Sequence, residues 1–355
     1  MIAKKPTILL FEDTETTAEK IEKILIERLS KNFEIKVFSS TVEATDASFV
    51  DRLKEEIPKY GEVALVISDM DLSKIDRYKG LTDAVITRVS HDLGIPAAYY
   101  STALAAIEGQ KQDQAGDGRI LLGAPQYEVI AHKICILAEG FVSIKKNIES
   151  ILSRKSIDRP QSASEFVAEL IGRKETFHRI GLYVSGDQRM GAEILSSPKD
   201  KAADRQTTIF GTWIFDSLMR YPGVFVNTTA AASYLNIEPS QFLDKEIFQL
   251  WKGAIYTGPF SDESSPIFWR DKLDRILSEE GAEDGRDYLS KKGIFVNSCP
   301  CSVDESVDAG YYCMITERPV SYEQSVGNIS WFPPGADLAR IAAPKYDELA
   351  PWLSV

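Results

Sequence analysis

The hydrophobic pattern of the first 150 residues alternates between two periods. Thr7–Phe11 is a short apolar run suited to a buried strand, and residues 14–30 then place Ile21, Ile24, Leu25 and Leu29 on one helical stripe. The alternation recurs. Strands are predicted at 33–38, 63–67, 96–100 and 119–122, and helices at 48–57, 80–93, 101–112 and from residue 126 onward. Five strand–helix alternations with short connections imply a parallel sheet covered on both faces. Sheets of this kind gather their functional groups at the carboxyl ends of the strands.

The last of these helices is longer than such a sheet needs. Ile130, Ile134, Leu137, Phe141, Ile144, Ile148 and Ile151 step alternately by four and three, an a/d seam over three heptads. From Phe141 onward the seam is expected to project and to need another surface. A homodimer through residues 130–152 is preferred here over packing on a second domain. Residues 153–163 are polar, carry Pro160 and lose the heptad, so they read as a linker, with Ser164 capping a helix over 165–178. The expected organisation is therefore a first domain at 1–152, a linker at 153–163 and a second domain at 164–355. In that second domain helical patterns fall at 206–220 and 267–280, and strand-like pieces at 180–184, 223–226, 293–296 and 311–315. That mixture predicts an α+β domain.

Composition narrows the classes of function. Across 355 residues, 44% hydrophobic and 26% charged is ordinary for a folded chain. The net charge is −12, divided as −3 over residues 1–155 and −9 over the rest, so neither half carries the positive field that drives sequence-independent nucleic-acid binding. No stretch approaches a membrane span, and the first apolar run is too short for a signal-peptide core. Four cysteines are too sparse for a disulfide scaffold, and a cytoplasmic location is the simplest expectation.

The polar residues that matter collect at the predicted strand ends. Glu12 and Asp13 close the first strand, Asp69 and Asp71 follow the third, and Ser101 ends the fourth. Carboxylates converging on one edge repel each other unless a cation sits among them. Hard oxygen ligands suit Mg²⁺, which would also screen an incoming phosphoryl group and let an Asp carboxylate attack it.

This constellation resembles the receiver domain of two-component response regulators over residues 5–150. Glu12 and Asp13 match the family's acidic metal-binding pair, and Asp69, closing Leu-Val-Ile-Ser-Asp, matches its phosphoacceptor. Asp71 stands where a backbone carbonyl binds the metal, and Ser101 where a Thr or Ser hydrogen-bonds the phosphoryl group. The resemblance implies a five-stranded, doubly wound, flavodoxin-like α/β domain that takes a phosphoryl group from a sensor histidine kinase with Mg²⁺. Two positions depart from it: Gly123 and Ala124 stand where the family keeps a Lys after the fifth strand, and Ile120 replaces an aromatic switch residue. The loop after Asp69 is lengthened and offers Lys74 and Lys79 as possible sources of positive charge. The expected function is a phosphorelay acceptor whose C-terminal domain engages a protein partner, with no enzymatic activity beyond its own phosphorylation and hydrolysis.

Three features of the second half invite further readings. Residues 227–248 resemble a helix-turn-helix of the excisionase kind, with Ser240, Gln241 and Lys245 facing base edges; Glu238, Asp244 and Glu246 would repel phosphates there, and two packed core helices are the preferred reading. Cys299, Cys301 and Cys313 are three candidate zinc ligands in fifteen residues, set against three buried thiols; a structural site needs a fourth ligand, from Asp304, Glu305 or Asp308. Trp251, Tyr256, Phe260, Phe268, Trp269 and the run Trp331–Phe332–Pro333–Pro334 fit either a core or a partner surface. An effector enzyme in this half is the remaining alternative, although no catalytic motif marks one.

Overall fold

The computed structural model describes residues 5–39, 49–70, 72, 81–106, 119–187, 190 and 202–353. The chain divides into two units, residues 1–172 with 189–216, and residues 173–188 with 217–355.

The first unit is built on five parallel strands, β1 (Thr7–Phe11), β2 (Glu34–Val37), β3 (Val63–Asp69), β4 (Ala97–Ser101) and β5 (Leu121–Gly123), in the order β2-β1-β3-β4-β5. Every residue of β1 and β4 is buried, as continuous apolar runs require of strands covered on both faces. Helices α2 (Phe49–Glu56) and α3 (Asp83–Asp92) cover one face, where Leu9, Phe11, Leu53, Val66, Ile86 and Val89 form one cluster. Helix α1 (Glu15–Leu29) and the long α4 (Tyr127–Leu152) pack together elsewhere on the same sheet. The predicted strand–helix alternation is thus present. Most of the predicted helix at 101–112 lies outside the described residues.

The heptad seam of α4 is covered within the chain. Phe141, Ile144, Ile148 and Ile151 are fully buried, and each contributes roughly 1.5–3 kcal/mol of hydrophobic stabilisation. Two helices beyond the expected domain boundary do the covering: α5 (Ala163–Leu170) and α7 (Ala202–Trp213) both pack on α4. Asn147 Nδ2 donates to the Leu170 carbonyl at 2.9 Å, and Lys145 bridges Glu62 at 2.9 Å and Asp204 at 3.0 Å. No seam side chain is left exposed for a second copy, so the surface assigned to a homodimer is the unit's own interior. For the same reason the division of the chain does not fall at 153–163. Ser162, not Ser164, caps α5, its hydroxyl accepting from the Glu165 N–H.

In the second unit, α6 (Phe177–Ser185) occupies the segment expected as a strand at 180–184. A short apolar run does not distinguish the two periods, and here Ile180 and Tyr183 are buried at helical spacing while Leu182 points outward. β6 (Phe225–Asn227) pairs antiparallel with β7 (Ile267–Trp269) around α8 (Thr228–Tyr234), α9 (Pro239–Phe242) and α10 (Lys245–Leu250), and α11 (Arg270–Glu279) follows β7. Next come α12 (Gly285–Lys291) and a four-stranded mixed sheet of β8 (Tyr311–Cys313), β9 (Pro319–Val320), β10 (Ser325–Val326) and β11 (Ala339–Ala342), ordered β10-β11-β8-β9; α13 (Ala343–Leu353) is the last element among the described residues. The segment at 293–296 forms no regular strand. Trp251, Tyr256, Phe260, Phe268, Trp269 and Phe332 are buried, so the aromatic-rich feature is core. Among the described residues no helix is long and apolar enough to cross a membrane.

Candidate functional site

The strand order decides where a site can form. The chain leaves β1 to one side, to build β2, and crosses back to build β3 on the other. The connections after β1 and β3 therefore diverge and leave a crevice beyond their carboxyl ends. Glu12 and Asp13 follow β1, and Asp69 ends β3. One carboxylate oxygen from each lies within 4.8 Å of the others. Among the described residues this is the one such gathering of three His, Cys, Asp or Glu side chains.

Glu12 is the most enclosed of the three, with 8% of its surface exposed. Its Oε1 accepts the Thr14 N–H at 2.7 Å, and its Oε2 accepts the Tyr100 hydroxyl. Burial raises the Glu12 pKa above the ordinary carboxylate range; the bonds from Tyr100 and Thr14 oppose that rise, and the neighbouring Asp13 adds to it. Burial and the Glu12 bond together push the Tyr100 phenol far upward, so it stays protonated and remains a donor. Asp13 Oδ1 accepts the Thr14 hydroxyl at 3.2 Å.

Asp69 is the register partner of Tyr100 across β3 and β4, and Ser101 is the next residue of β4. Ser101 is buried, and its Oγ accepts the Ala103 N–H at 3.1 Å, which leaves the hydroxyl proton available for donation. Asp71, expected to offer a backbone carbonyl, lies outside the described residues, as do Lys74 and Lys79. Gly123 and Ala124 bring no amine of their own to the site. Lys133 Nζ does bond the Gly123 carbonyl at 2.7 Å. However, Tyr99 N–H to the Ile120 carbonyl and Ala124 N–H to the Ser101 carbonyl put the even-numbered residues of β5 toward β4. The Gly123 carbonyl therefore faces the outer edge of the sheet, and takes Lys133 with it. Neither family models nor curated protein sequences match this chain.

The donor set fits a small hard cation. Octahedral Mg²⁺ with oxygen at about 2.0–2.1 Å separates its ligands by about 2.9 Å when adjacent and about 4.1 Å when opposite. Three carboxylate oxygens within 4.8 Å of one another are on that scale, and the packing of negative charge favours a cation between them. Glu12, Asp13 and Asp69 are the residues that would hold it.

The three C-terminal cysteines are buried but not gathered into a ligand set. Cys301 and Cys313 share a small apolar cluster with Val320 and Ala342. Cys313 Sγ accepts the Ala342 N–H at 3.2 Å and the Thr316 N–H at 3.4 Å. Burial pushes the Cys299 thiol up to about 12. At Cys301 burial works the same way, but N–H bonds from Asp304, Val303 and Ser321 outweigh it and lower the value. Each thiol is satisfied in place.

Sequence reasoning missed Tyr100. Its only sequence signal is a second tyrosine immediately before Ser101, and the contact depends on a register that no local pattern carries.

Proposed function

We propose that residues 5–152 supply the receiver-type, flavodoxin-like phosphoacceptor part of the first unit, in which Asp69 takes a phosphoryl group from a phosphohistidine of a cytoplasmic sensor kinase. The observation that carries this reading is the convergence of Glu12, Asp13 and Asp69 at the β1/β3 crevice of a 2-1-3-4-5 parallel sheet, the strand order of flavodoxin-like folds. Ser101 follows Tyr100, the register partner of Asp69, at the end of the adjacent strand, which supports a role for its hydroxyl as donor to a phosphoryl group on Asp69.

An Asp69 carboxylate oxygen attacks phosphorus, an O–P bond forms, and the N–P bond breaks with its electron pair returning to the imidazole, which takes up a proton. A bound Mg²⁺ would neutralise charge on the phosphoryl oxygens during the transfer. Glu12 holds its orientation through Thr14 and Tyr100, and Asp13 is held beside it by the Thr14 hydroxyl. Ser101 donates to the transferred group. Water later cleaves the acyl phosphate and regenerates Asp69.

Intact-mass spectrometry after incubation with acetyl phosphate and Mg²⁺ tests the reading. A single phosphate adduct is expected on the wild type, none on Asp69→Asn, and a strongly reduced yield on Asp13→Asn. No adduct on the wild type with any phosphodonor, or an adduct retained in Asp69→Asn, overturns it.

A further inference from the structure

The second unit contains a strand–helix–turn–helix–strand–helix sequence, but the element that would read a DNA groove is broken. After α8 the turn passes through Asn236, which takes a left-handed φ of 54°, and α9 begins at Pro239. A groove-reading helix would continue through residues 239–250. Here it stops at Phe242, because Asp244 adopts an extended ψ of 134° and starts a new helix by accepting the Glu246 N–H at 2.9 Å.

The exposed side chains are also of the wrong charge for DNA. Lys245 stands among Glu238, Asp244 and Glu246. Asp284 and Asp308 both accept from Asn236 Nδ2, at 3.1 and 3.2 Å, and bring two more carboxylates to the turn, while Arg286, tied to the Leu235 carbonyl, returns one cation. A polyanion approaching this face meets net repulsion.

The segments packed at this turn also leave two large apolar side chains open. Cys299 N–H donates to Asn236 Oδ1 at 3.0 Å; the Asn297 carbonyl accepts from the Glu238 N–H at 3.1 Å, and Asn297 N–H donates to Gln241 Oε1 at 2.6 Å. Followed backward, residues 299 and 297 therefore track 236, then 238 and 241. Leu243 is 60% exposed and Phe295 83% exposed. Large apolar side chains left this open, Leu243 beside Asp244 in sequence and Phe295 two residues from the Asn297 that is tied to Glu238 and Gln241, supply the two demands of a protein interface, apolar surface to desolvate and a complementary charged rim.

We propose that this face docks a basic amphipathic segment of a partner protein, whose apolar side chains cover Leu243 and Phe295 and whose Lys or Arg side chains meet Glu238, Asp244 and Glu246. The inference goes beyond the phosphoacceptor reading and does not depend on it.

Fluorescence anisotropy with the full-length protein tests it, using a labelled amphipathic Leu/Lys peptide, a Ser/Lys peptide of equal charge and a random-sequence DNA duplex. The Leu/Lys peptide should bind at least about tenfold more tightly than the Ser/Lys peptide, and weaken by about tenfold or more with Leu243→Ser plus Phe295→Ser. Glu246→Lys should weaken it further, and added salt should reduce the charge-dependent part. Phe295→Ser alone, in a segment without regular structure, should give a partial loss, and circular dichroism checks that each variant is folded. Absence of peptide binding, or peptide binding unchanged in these variants, overturns the proposal. So does duplex DNA binding more tightly than the peptide and weakening in the same variants, which would make DNA the occupant.

Discussion

The Tyr100 hydroxyl donates to Glu12 Oε2 from two strands away, across the end of β3, and Tyr100 is itself the register partner of Asp69. One phenol therefore links the ends of the three strands that frame the candidate site. Removing its oxygen should leave the fold in place and the buried Glu12 carboxylate with one donor fewer. Tyr100→Phe is expected to lower Mg²⁺ or Mn²⁺ affinity by about 10-fold or more, the usual effect of losing a partner behind a ligating carboxylate. Titration calorimetry reads this directly, and an unchanged affinity would reduce Tyr100 to a filler of space.

The raised pKa of Glu12 has a stability consequence with a definite sign. A carboxyl whose folded pKa lies above its unfolded value holds its proton more tightly when folded. Its favourable contribution is complete below the unfolded pKa and is lost as pH rises through the folded one. In metal-free protein, Glu12→Gln should therefore raise the melting temperature by a few degrees at about pH 7 and give little gain at about pH 4. Added Mg²⁺ should stabilise the wild type by mass action and leave Glu12→Gln less affected. A melting temperature that falls in Glu12→Gln at neutral pH would contradict this.

The buried seam of α4 predicts where substitutions there act. Ile148→Ala should cost about 2–5 kcal/mol in urea unfolding of the first unit, because it opens a cavity between helices of one chain. Ile144→Lys with Ile148→Lys should unfold that unit. A folded double variant whose mass by light scattering falls from dimer to monomer would put the seam between two copies instead.

The missing lysine bears on the size of any response to phosphorylation. Gly123 offers no side chain, Ala124 only a methyl group, and Ile120 is buried without a polar tip to reorient. Differential contacts are what shift a two-state equilibrium, and these three positions supply no polar side chain for one. Hydrogen exchange with and without beryllofluoride should show protection confined to the strand ends, as expected of a phosphate relay or sink. Large changes reaching residues 140–152 would instead reveal a switch.

Gly94 tests how α7 is seated. It takes a φ of 72° after α3, and an added Cβ would lie 3.2 Å from the Asp204 Cβ. Gly94→Ala should destabilise the first unit by about 1–2 kcal/mol through the left-handed backbone alone, and by more if α7 cannot yield. Chemical denaturation measures the difference.

Local pattern carried the sheet and most of the acidic cluster, because Leu9, Leu65 and Ile67 announce buried strands wherever they sit, and the residues that end such strands are fixed by count. It did not carry what depends on distant partners. The stripe from Phe141 to Ile151 states that something must cover it, but α5 and α7 could be identified only once the chain had folded back. The same holds for Tyr100, whose role depends on β3 lying between it and Glu12. At 180–184 the run was simply too short to separate a strand from a helix. At Asp244 a helical pattern is interrupted by a side chain that competes for the backbone N–H of Glu246.

The chain passes from the first unit to the second at residue 172, returns by 189, and leaves again at 216. No single cut separates the two units intact: cleavage after 152 or 172 strips α7 from α4 and bares Phe141, Ile144 and Ile148. During synthesis the last helix of the first unit emerges after a portion of the second. The seam therefore stays open on the ribosome until residue 213 has cleared the exit tunnel, and α4 waits for its final cover that long.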